Sequence, residues 1–324
     1  MNLRLTIYLA VFFVAISDVC GLAQEIPSKK TVVAADSSED NIEEQEDKHL
    51  QNLVDVQYMN SGAKKHTQAA FKSTLIINGQ SIENLPRCVL EFRLSHRFGD
   101  FSQGARTTWG LDNATTRIGL NYGLTNWLML GAGRSTLLKE YDGFAKIRLM
   151  RQTTDNSKPF SVSYVAACFV QTLSADELLQ PGSTYYLRDR FCFSHQLLLA
   201  RKFSYAFSMQ LMPIYMHYNI VPTSGEPNDM LAIGIGGRFK VSNRIALTAE
   251  YYYRVPSYEL AGFKNALSIG VDIETGGHVF QLFLTNSNGI NEHTFIEETS
   301  GDWAKGGIHF GFNLSRVFAV RKHK

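Results

Sequence analysis

The sequence is poor in cysteine and in net charge, and beyond residue 23 it lacks any long apolar run. Four cysteines among 324 residues do not make a disulfide framework. A formal net charge of +2 is too balanced to indicate binding to nucleic acid, and no nucleic-acid partner is predicted. After residue 23 no stretch approaches the roughly 18 consecutive apolar residues of a membrane-spanning helix. These absences exclude a helical membrane protein and a disulfide-stapled module.

The sequence also lacks the short motifs of common enzymes. It has no phosphate-cradling glycine loop, no Cys-x-x-Cys pair and no His-Glu-x-x-His motif. The glycines around residues 232–237 alternate as they would in a strand and open no helix, which argues against a nucleotide site. We therefore predict no cofactor, no metal and no catalytic residues, and a protein that is not an enzyme.

The first 23 residues have the organisation of a cleaved signal peptide. Arg4 precedes the apolar run 5–16, and small residues lie at positions −3 and −1 of a cleavage site after Ala23. A lipoprotein would instead use Cys20 as its lipidated residue, but the residues before Cys20 fit that motif poorly. The exported chain then keeps Cys88, Cys168 and Cys192. The last two could pair across neighbouring strands, although two unlinked thiols are the expectation.

Residues 24–66 differ in composition from everything that follows. The run 36–48 has seven acidic residues, one lysine and no aromatic residue, so it cannot bury enough apolar surface to fold alone. We predict a disordered acidic tether in the periplasm, which is either a solvated spacer or a contact for an unknown partner. Residues 67–85 form a short strand or a plug segment, and the sequence does not decide between them.

From residue 86 to 320 the chain shows strand-like segments and no helical periodicity. In RIGLNYGL (117–124), for example, apolar and polar residues alternate with period two. Long and short connections alternate without a break, and no helix-length segment links two strands, which predicts an antiparallel meander. The twelve predicted strands are 88–98, 115–123, 127–135, 143–151, 159–170, 190–201, 204–217, 229–240, 244–254, 266–274, 278–285 and 306–318.

Three features indicate that the apolar face of this meander meets lipid. An even number of strands with all long loops at one end is typical of outer-membrane barrels. The polar face carries bulky ionic residues, which a water-filled lumen accommodates. Aromatic residues such as Tyr122 and Trp127 lie near strand ends, as interfacial girdles require. The predicted fold is a closed, all-β, up-and-down transmembrane barrel in the bacterial outer membrane, surrounded by lipid, with periplasmic termini and strand 306–318 paired with 88–98.

Three stretches resemble a known protein family. They are SHRFGDF (95–101), GLDNATTRIGLNYGLTNWLMLGAGRS (110–135) and KEYDGFAKIRLMRQ (139–152). The chain looks like a family of outer-membrane β-barrels of unknown function from Bacteroidota and related Gram-negative bacteria. The resemblance implies an exported barrel, and it brings no substrate and no catalytic residue with it.

The alternation assigns fourteen charged residues to the lumen. Ten are basic and four acidic, and rings of arginine and lysine favour anions in a pore. We therefore predict a narrow porin-like channel for small, preferably anionic solutes. The alternative is a barrel that these charges seal, with a structural or binding role. The residues are Arg93, Arg97, Arg117, Lys146, Arg148, Arg190, Arg238, Lys240, Arg244, Arg254, Glu91, Glu250, Asp272 and Glu274.

A second alternative is an outer-membrane hydrolase of the lipase type. His96 and His195 each follow a serine in the sequence, but adjacent strand residues point to opposite faces, so neither can activate its neighbour. The stretch 285–289 supplies Asn286 and Ser287 without a nearby histidine.

The acidic loop 286–305 would be the place for a binding role, although the spacing of its acidic residues matches no known metal-binding loop.

Overall fold

The computed structural model describes residues 66–173, 186–221, 227–255, 262–275 and 278–320. The predicted signal peptide, and the predicted tether except for residue 66, lie outside this part of the chain. Among the described residues, no helix has the length and apolar character needed to cross a membrane.

Twelve antiparallel strands form one closed sheet, as predicted. Each predicted strand overlaps an observed one, and no predicted end differs from the observed end by more than three residues. The strands are β1 (Val89–Asp100), β2 (Ala114–Gly123), β3 (Leu128–Ser135), β4 (Tyr141–Met150), β5 (Ser161–Val170), β6 (Phe191–Lys202), β7 (Phe207–Tyr218), β8 (Asp229–Lys240), β9 (Ile245–Arg254), β10 (Leu267–Thr275), β11 (His278–Thr285) and β12 (His309–Ala319).

Short helical segments occur only in the connections of the described chain. They are 3₁₀ helices at Phe101–Gly110, Leu137–Lys139, Leu187–Arg190 and Trp303–Lys305, and a π-helix at His293–Glu297. We call the end of the barrel with the short turns between β2 and β3, β6 and β7, and β8 and β9 the periplasmic end. The opposite end, with the longer loops, is the extracellular end.

The barrel closes where β1 pairs with β12. Leu94 lies opposite Leu314 on one side and opposite Ile118 of β2 on the other. The predicted pairing of the first and last strands is therefore confirmed. Closure satisfies the main-chain hydrogen bonds of both edges, which unpaired strands could not achieve in hydrocarbon.

The two faces of the sheet divide as the alternation of residues predicts. On β2, Ile118 is 52% exposed on the outer face, whereas Asn121 is 2% exposed and points into the lumen. Trp127 is exposed at the periplasmic end, as expected for an interfacial anchor. Tyr122 was also predicted to be an interfacial anchor, but its side chain is buried.

Cys168 and Cys192 are unlinked thiols, as predicted. Cys192 lies opposite Phe169 of β5, and Cys168 lies opposite Phe193 of β6. The two cysteines are thus one residue out of register. Because successive side chains on a strand point to opposite faces, one sulfur faces the lumen and the other faces outward.

The interior of the barrel is filled by two segments of the chain. Residues 66–87, which we call the plug segment, enter from the periplasmic end. Residues 286–308, the β11–β12 loop, fold in from the extracellular end. Their apolar side chains, such as Phe71 and Ile76 of the plug segment and Phe295 of the loop, join one buried cluster with wall residues of β5 to β9.

Candidate functional site

The innermost part of the plug segment is a tight turn, residues 74–81, which we call the plug turn. The N–H of Ile76 donates to the carbonyl oxygen of Gly79 at 2.8 Å, and that of Ser81 donates to Thr74 at 3.0 Å. Leu75 and Gln80 form an isolated bridge between its two arms. The turn satisfies few of its own polar groups, so the barrel wall must supply the remaining partners.

Glu250 on β9 binds the tip of the plug turn. Its carboxylate accepts the main-chain N–H groups of Ile77 at 3.2 Å, Asn78 at 2.7 Å and Gly79 at 3.3 Å. Successive N–H groups that converge on one anion form a favourable electrostatic site, and a charged acceptor strengthens each bond. Glu250 is buried, so this contact is shielded from solvent.

Lys146 on β4 binds the arms of the plug turn and the residues after it. Its ammonium donates to the carbonyl oxygens of Thr74 at 3.2 Å, Ser81 at 3.0 Å and Glu83 at 3.0 Å. A lysine has three donors, and each of them has a main-chain partner here. Lys146 is wholly buried, and its charge is compensated by carbonyl dipoles from the plug segment.

Three neutral amides complete the contact with the main chain of the plug turn. Gln281 donates to the carbonyl oxygen of Ile76 at 2.6 Å, and Asn313 donates to that of Ile77 at 2.8 Å. Gln210, on the other side of the lumen, donates to the carbonyl oxygen of Gln80 at 2.7 Å. These three wall residues therefore bind main-chain carbonyl groups of the plug turn, and these bonds do not depend on the side chains of the turn residues.

The lumen face of β1 binds side chains of the plug turn. Arg97 donates to the Asn78 side-chain oxygen at 2.6 Å, and its guanidinium lies over the Phe283 ring. Arg93 donates to the Thr74 hydroxyl and pairs with Glu91 at 2.8 Å. These contacts leave the β1 arginines paired with oxygen acceptors of the plug turn and of the wall.

Gly79 occupies a position where the turn and the wall nearly touch. A Cβ atom at this residue would lie 1.7 Å from the Tyr252 hydroxyl oxygen and 2.9 Å from its ring carbon Cζ. The Tyr252 ring cannot easily move, because it packs against Gly234 and edge-on against Phe295. The seated plug turn therefore requires a residue without a side chain at this point.

The β11–β12 loop is held in the extracellular half of the lumen by polar contacts. The ring of His293 lies 2.6 Å from the carboxylate of Glu140, which also accepts the Asn291 side-chain amide. Gln196 of β6 donates to Glu292 at 3.0 Å. Arg254 of β9 donates to the main-chain oxygen of Glu297 at 3.2 Å.

The protonation of this loop depends on its burial. Burial alone would lower the pKa of His293, but the Glu140 carboxylate outweighs that effect and raises the pKa to about 10. Burial raises the pKa of Glu297 to about 7 against the opposing attraction of His293. At neutral pH His293 is therefore a cation that pairs with Glu140, and Glu297 is near its midpoint.

A small cavity of about 20 Å³ remains between the plug turn and the β11–β12 loop. The Arg117–Asp142 pair lines it, together with Ser95, Asn121 and Gln80. A polar space of this size accommodates one or two water molecules. With both segments in place, the described lumen is thus occupied from each end.

The structure places nine of the fourteen predicted charges inside the lumen. Arg148 and Lys240 lie at the periplasmic rim, and Glu274 pairs there with Lys72 of the plug segment at 2.7 Å. Arg190 ends a 3₁₀ helix and Arg244 is exposed in a turn. Neither residue lies on a strand, so the alternation of strand residues between lumen and outer face does not apply to them. The nine are Glu91, Arg93, Arg97, Arg117, Lys146, Arg238, Glu250, Arg254 and Asp272.

Sequence reasoning missed four buried acidic residues. Asp142 is the second residue of β4, and its side chain points to the same face as that of Lys146. The predicted strand began at residue 143; a start at residue 141 would have assigned Asp142 to the lumen. Glu140, Glu292 and Glu297 lie in loops, where alternation gives no signal. With them, and with the His293 cation, the described buried charges are seven acidic and seven basic, so the predicted basic excess does not hold for the filled lumen.

The two histidines considered for a hydrolase lie on the outer face. His96 contacts the Thr116 hydroxyl at 2.9 Å, and His195 contacts the Tyr164 hydroxyl at 2.6 Å. Ser95 and Ser194, their neighbours in sequence, are buried on the opposite face, as predicted. Within the described chain neither histidine has a serine partner.

The polar residues of the β11–β12 loop have structural partners. Asn286 accepts the N–H of Leu267 at 2.8 Å and donates to the main-chain oxygens of Asn265, in the β9–β10 loop, and of Gly301, in its own loop. Ser287 accepts the N–H of Gly289 at 3.1 Å. Over the described residues, no group of three or more His, Cys, Asp or Glu side chains has the arrangement of a metal site.

Comparison with known families agrees with this architecture. A family described as a membrane-bound β-barrel domain (DUF5777) matches residues 71–318. The chain belongs to this family. The match begins inside the plug segment and ends in β12, so the segment that fills the lumen is part of the family domain. Membership and the closed barrel with an apolar outer face place the protein in the bacterial outer membrane.

Solved structures that resemble the chain are outer-membrane barrels. The NanC porin matches with a TM-score of 0.44 and 8% identity, over 72% of this chain and 100% of that chain. The KdgM porin gives 0.42 and 7%, over 72% and 99%. Omp33 of Acinetobacter baumannii gives 0.38 and 10%, over 71% and 97%. These identities are too low to transfer a function. No curated protein matches the sequence.

Proposed function

We propose that the protein is a porin-like channel whose resting state is closed by the plug turn and the β11–β12 loop. Small solutes cross when both segments leave the lumen. The observation that carries this proposal is the polar character of the contact between the plug turn and the wall, above all the three N–H groups on Glu250 and the three carbonyls on Lys146.

Polar contacts of this kind are compatible with reversible opening. Water can replace each main-chain partner of Lys146 and Glu250 at little enthalpic cost, so the wall stays satisfied when the turn leaves. An apolar interior would instead expose hydrocarbon to water on opening, which costs about 25 cal/mol per Å². The wall is therefore suited to a lumen that is sometimes hydrated.

A preference for anions is expected only in the open state. Among the described buried residues of the strands themselves, six are basic and four are acidic. The other buried acidic residues, Glu140, Glu292 and Glu297, belong to loops, and the last two leave the lumen with the β11–β12 loop. Opening thus leaves a wall with a modest basic excess, which favours anions.

A permanently sealed barrel with a structural role is the second candidate. It is favoured by the apolar side of the plug segment, where Phe71, Ile76 and Ile82 pack with Leu198 and Met212 of the wall. Separating these side chains costs free energy on every opening. The two candidates differ in one measurable property, which is ion conductance once the plug turn is displaced.

The deciding experiment uses Gly79→Val in the full-length chain, reconstituted in planar bilayers. The new side chain collides with Tyr252 and prevents the turn from seating. Because the plug turn is one of the two segments that close the lumen, we expect openings to become more frequent than in the wild type, with a modest preference for chloride over potassium whenever the β11–β12 loop also leaves. The control is Gly237→Ala on the outer face of β8, where a Cβ atom finds only an ordinary contact at 3.8 Å. This variant should conduct as rarely as the wild type.

A crosslink that holds the plug turn against the wall tests whether the turn closes the lumen. Asn78 and Ser268 touch at 2.8 Å, so cysteines at both positions can be joined by a short bis-methanethiosulfonate reagent, whose two sulfinate groups leave as the two disulfides form. Joining them in the Gly79→Val background should reduce conductance, whereas each single cysteine with the same reagent should not. A Gly79→Val barrel that is protease-sensitive in residues 66–87 but silent in bilayers identifies the sealed barrel.

A further inference from the structure

Most of the polar wall contacts of the plug turn are contacts to main-chain atoms, and the side chains of Thr74 and Asn78 add a smaller number. Six carbonyl groups of the plug segment accept from Lys146, Gln210, Gln281 and Asn313. Three N–H groups donate to Glu250. These five wall residues, which we call the cradle, therefore bind nine groups that every peptide carries.

A ligand that replaces the plug turn in the cradle must supply both hydrogen-bond acceptors and hydrogen-bond donors. Lys146 needs oxygen acceptors, whereas Glu250 needs several donors at the same place. A simple anion satisfies only Lys146, and a simple cation satisfies only Glu250. A peptide main chain presents carbonyl and N–H groups in alternation, so one molecule meets both requirements, as the plug turn does.

We infer that the emptied cradle is a binding site for peptide main chain, and that short oligopeptides are the solutes this channel selects. The inference rests on the proposed channel function and extends it to a substrate class. Main-chain recognition sets the class of ligand, and side-chain contacts such as those of Thr74 and Asn78 with the β1 arginines modulate its affinity. The strictest side-chain restriction is at the Gly79 position, which faces Tyr252 and must be glycine.

Binding is measured first, independently of conduction. The protein is Gly79→Val in detergent, and the probe is the capped octapeptide TLIINGQS, which reproduces residues 74–81. Isothermal titration calorimetry should detect binding to this variant and none to the wild type, whose own turn fills the cradle. A scrambled octapeptide that keeps threonine, asparagine and glycine at the places of Thr74, Asn78 and Gly79 should bind within about threefold of the original.

Two changes probe the contact with Glu250 from either side. The octapeptide N-methylated at the three residues that correspond to Ile77, Asn78 and Gly79 lacks the three donors and should bind at least tenfold more weakly. Glu250→Gln added to Gly79→Val should weaken the unmodified peptide to a similar extent. Equal binding of the methylated and unmodified peptides, or failure of the scrambled peptide, overturns the inference.

Conductance then separates this inference from the proposed function. The octapeptide should block the current through Gly79→Val at the concentrations at which it binds, and maltotriose, a neutral hydroxyl-rich probe, should block far less. Equal block by maltotriose shows a general polar pore and overturns the peptide inference alone. A Gly79→Val barrel that binds peptide but never conducts supports the site and contradicts the channel.

Discussion

The main-chain N–H of Asn78 lies 2.7 Å from the carboxylate of Glu250, although 172 residues separate them in the chain. This hydrogen bond joins the tip of the plug turn to β9, which lies four strands from β1 around the barrel. It is one of three that converge on the same carboxylate. The closure of the lumen therefore depends on a small number of wall residues that can be changed singly.

Replacing Glu250 by Gln should loosen the plug turn. The substitution keeps the shape but removes the charge that strengthens three hydrogen bonds, and bonds to charged groups contribute about 1.5–3 kcal/mol each. We expect the open probability in bilayers to rise at least tenfold, since about 1.4 kcal/mol corresponds to a factor of ten.

The matched control for Glu250 is Glu274→Gln. Glu274 also pairs with the plug segment, through Lys72, but its side chain is 36% exposed. Exposed ion pairs contribute roughly 0–1 kcal/mol, so this variant should open little more often than the wild type. Equal effects of the two substitutions would show that burial of Glu250 has no role in closure.

Lys146→Met should increase hydrogen exchange in the plug segment. The variant leaves the carbonyl groups of Thr74, Ser81 and Glu83 without their donor, and an unsatisfied buried group costs about 1–3 kcal/mol. Exchange of the amide of Ser81, measured by mass spectrometry, should accelerate by at least tenfold. Lys240→Met at the periplasmic rim serves as the control. Equal exchange of the Ser81 amide in the two variants would contradict the conclusion that Lys146 holds the plug segment in place.

The docking of the β11–β12 loop should weaken as pH rises. His293 has its pKa raised to about 10, so its stabilising contribution is complete below pH 6.5 and is lost as pH rises through about 10. Glu297 has its pKa raised to about 7 by burial, so its ionisation opposes docking as pH rises from about 4.5 to 7. Both groups act in the same direction.

Trp303 fluorescence can follow this transition, because its indole donates to the Leu267 oxygen at 3.2 Å in the docked loop. We expect a progressive change between pH 6.5 and about 10. Glu140→Gln removes the charge that raises the pKa of His293, so the alkaline transition should move toward neutral pH. An unchanged transition in Glu140→Gln would show that His293 does not control docking.

Breaking the buried Arg117–Asp142 pair should destabilise the barrel. Arg117 Nε donates to the carboxylate at 2.8 Å, and both side chains are at least nine-tenths buried. Arg117→Met alone leaves an unpaired buried charge and should cost about 3–5 kcal/mol in urea unfolding in lipid vesicles. The double variant Arg117→Met/Asp142→Leu should cost clearly less, and strict additivity of the two single variants would contradict a direct pairing.

The barrel itself could be predicted from local patterns. Period-two alternation and the order of short and long connections located all twelve strands and the closing pair. Residues on strands, such as Arg93 and Glu250, were assigned correctly to the lumen because the side-chain period of a strand is two. Arg190 and Arg244 were misplaced because they lie outside the strands, where that period does not apply.

By itself, then, the sequence determined the number of strands, their order and the face that each strand residue takes, because these follow from residues that are neighbours in the chain. Only the tertiary structure decided what fills the lumen. The pairing of Glu140 with His293, and of Glu250 with the plug turn, joins segments that lie 153 and about 172 residues apart. Such contacts arise when the barrel closes around a turn that has almost no apolar alternation, so no local pattern specifies them.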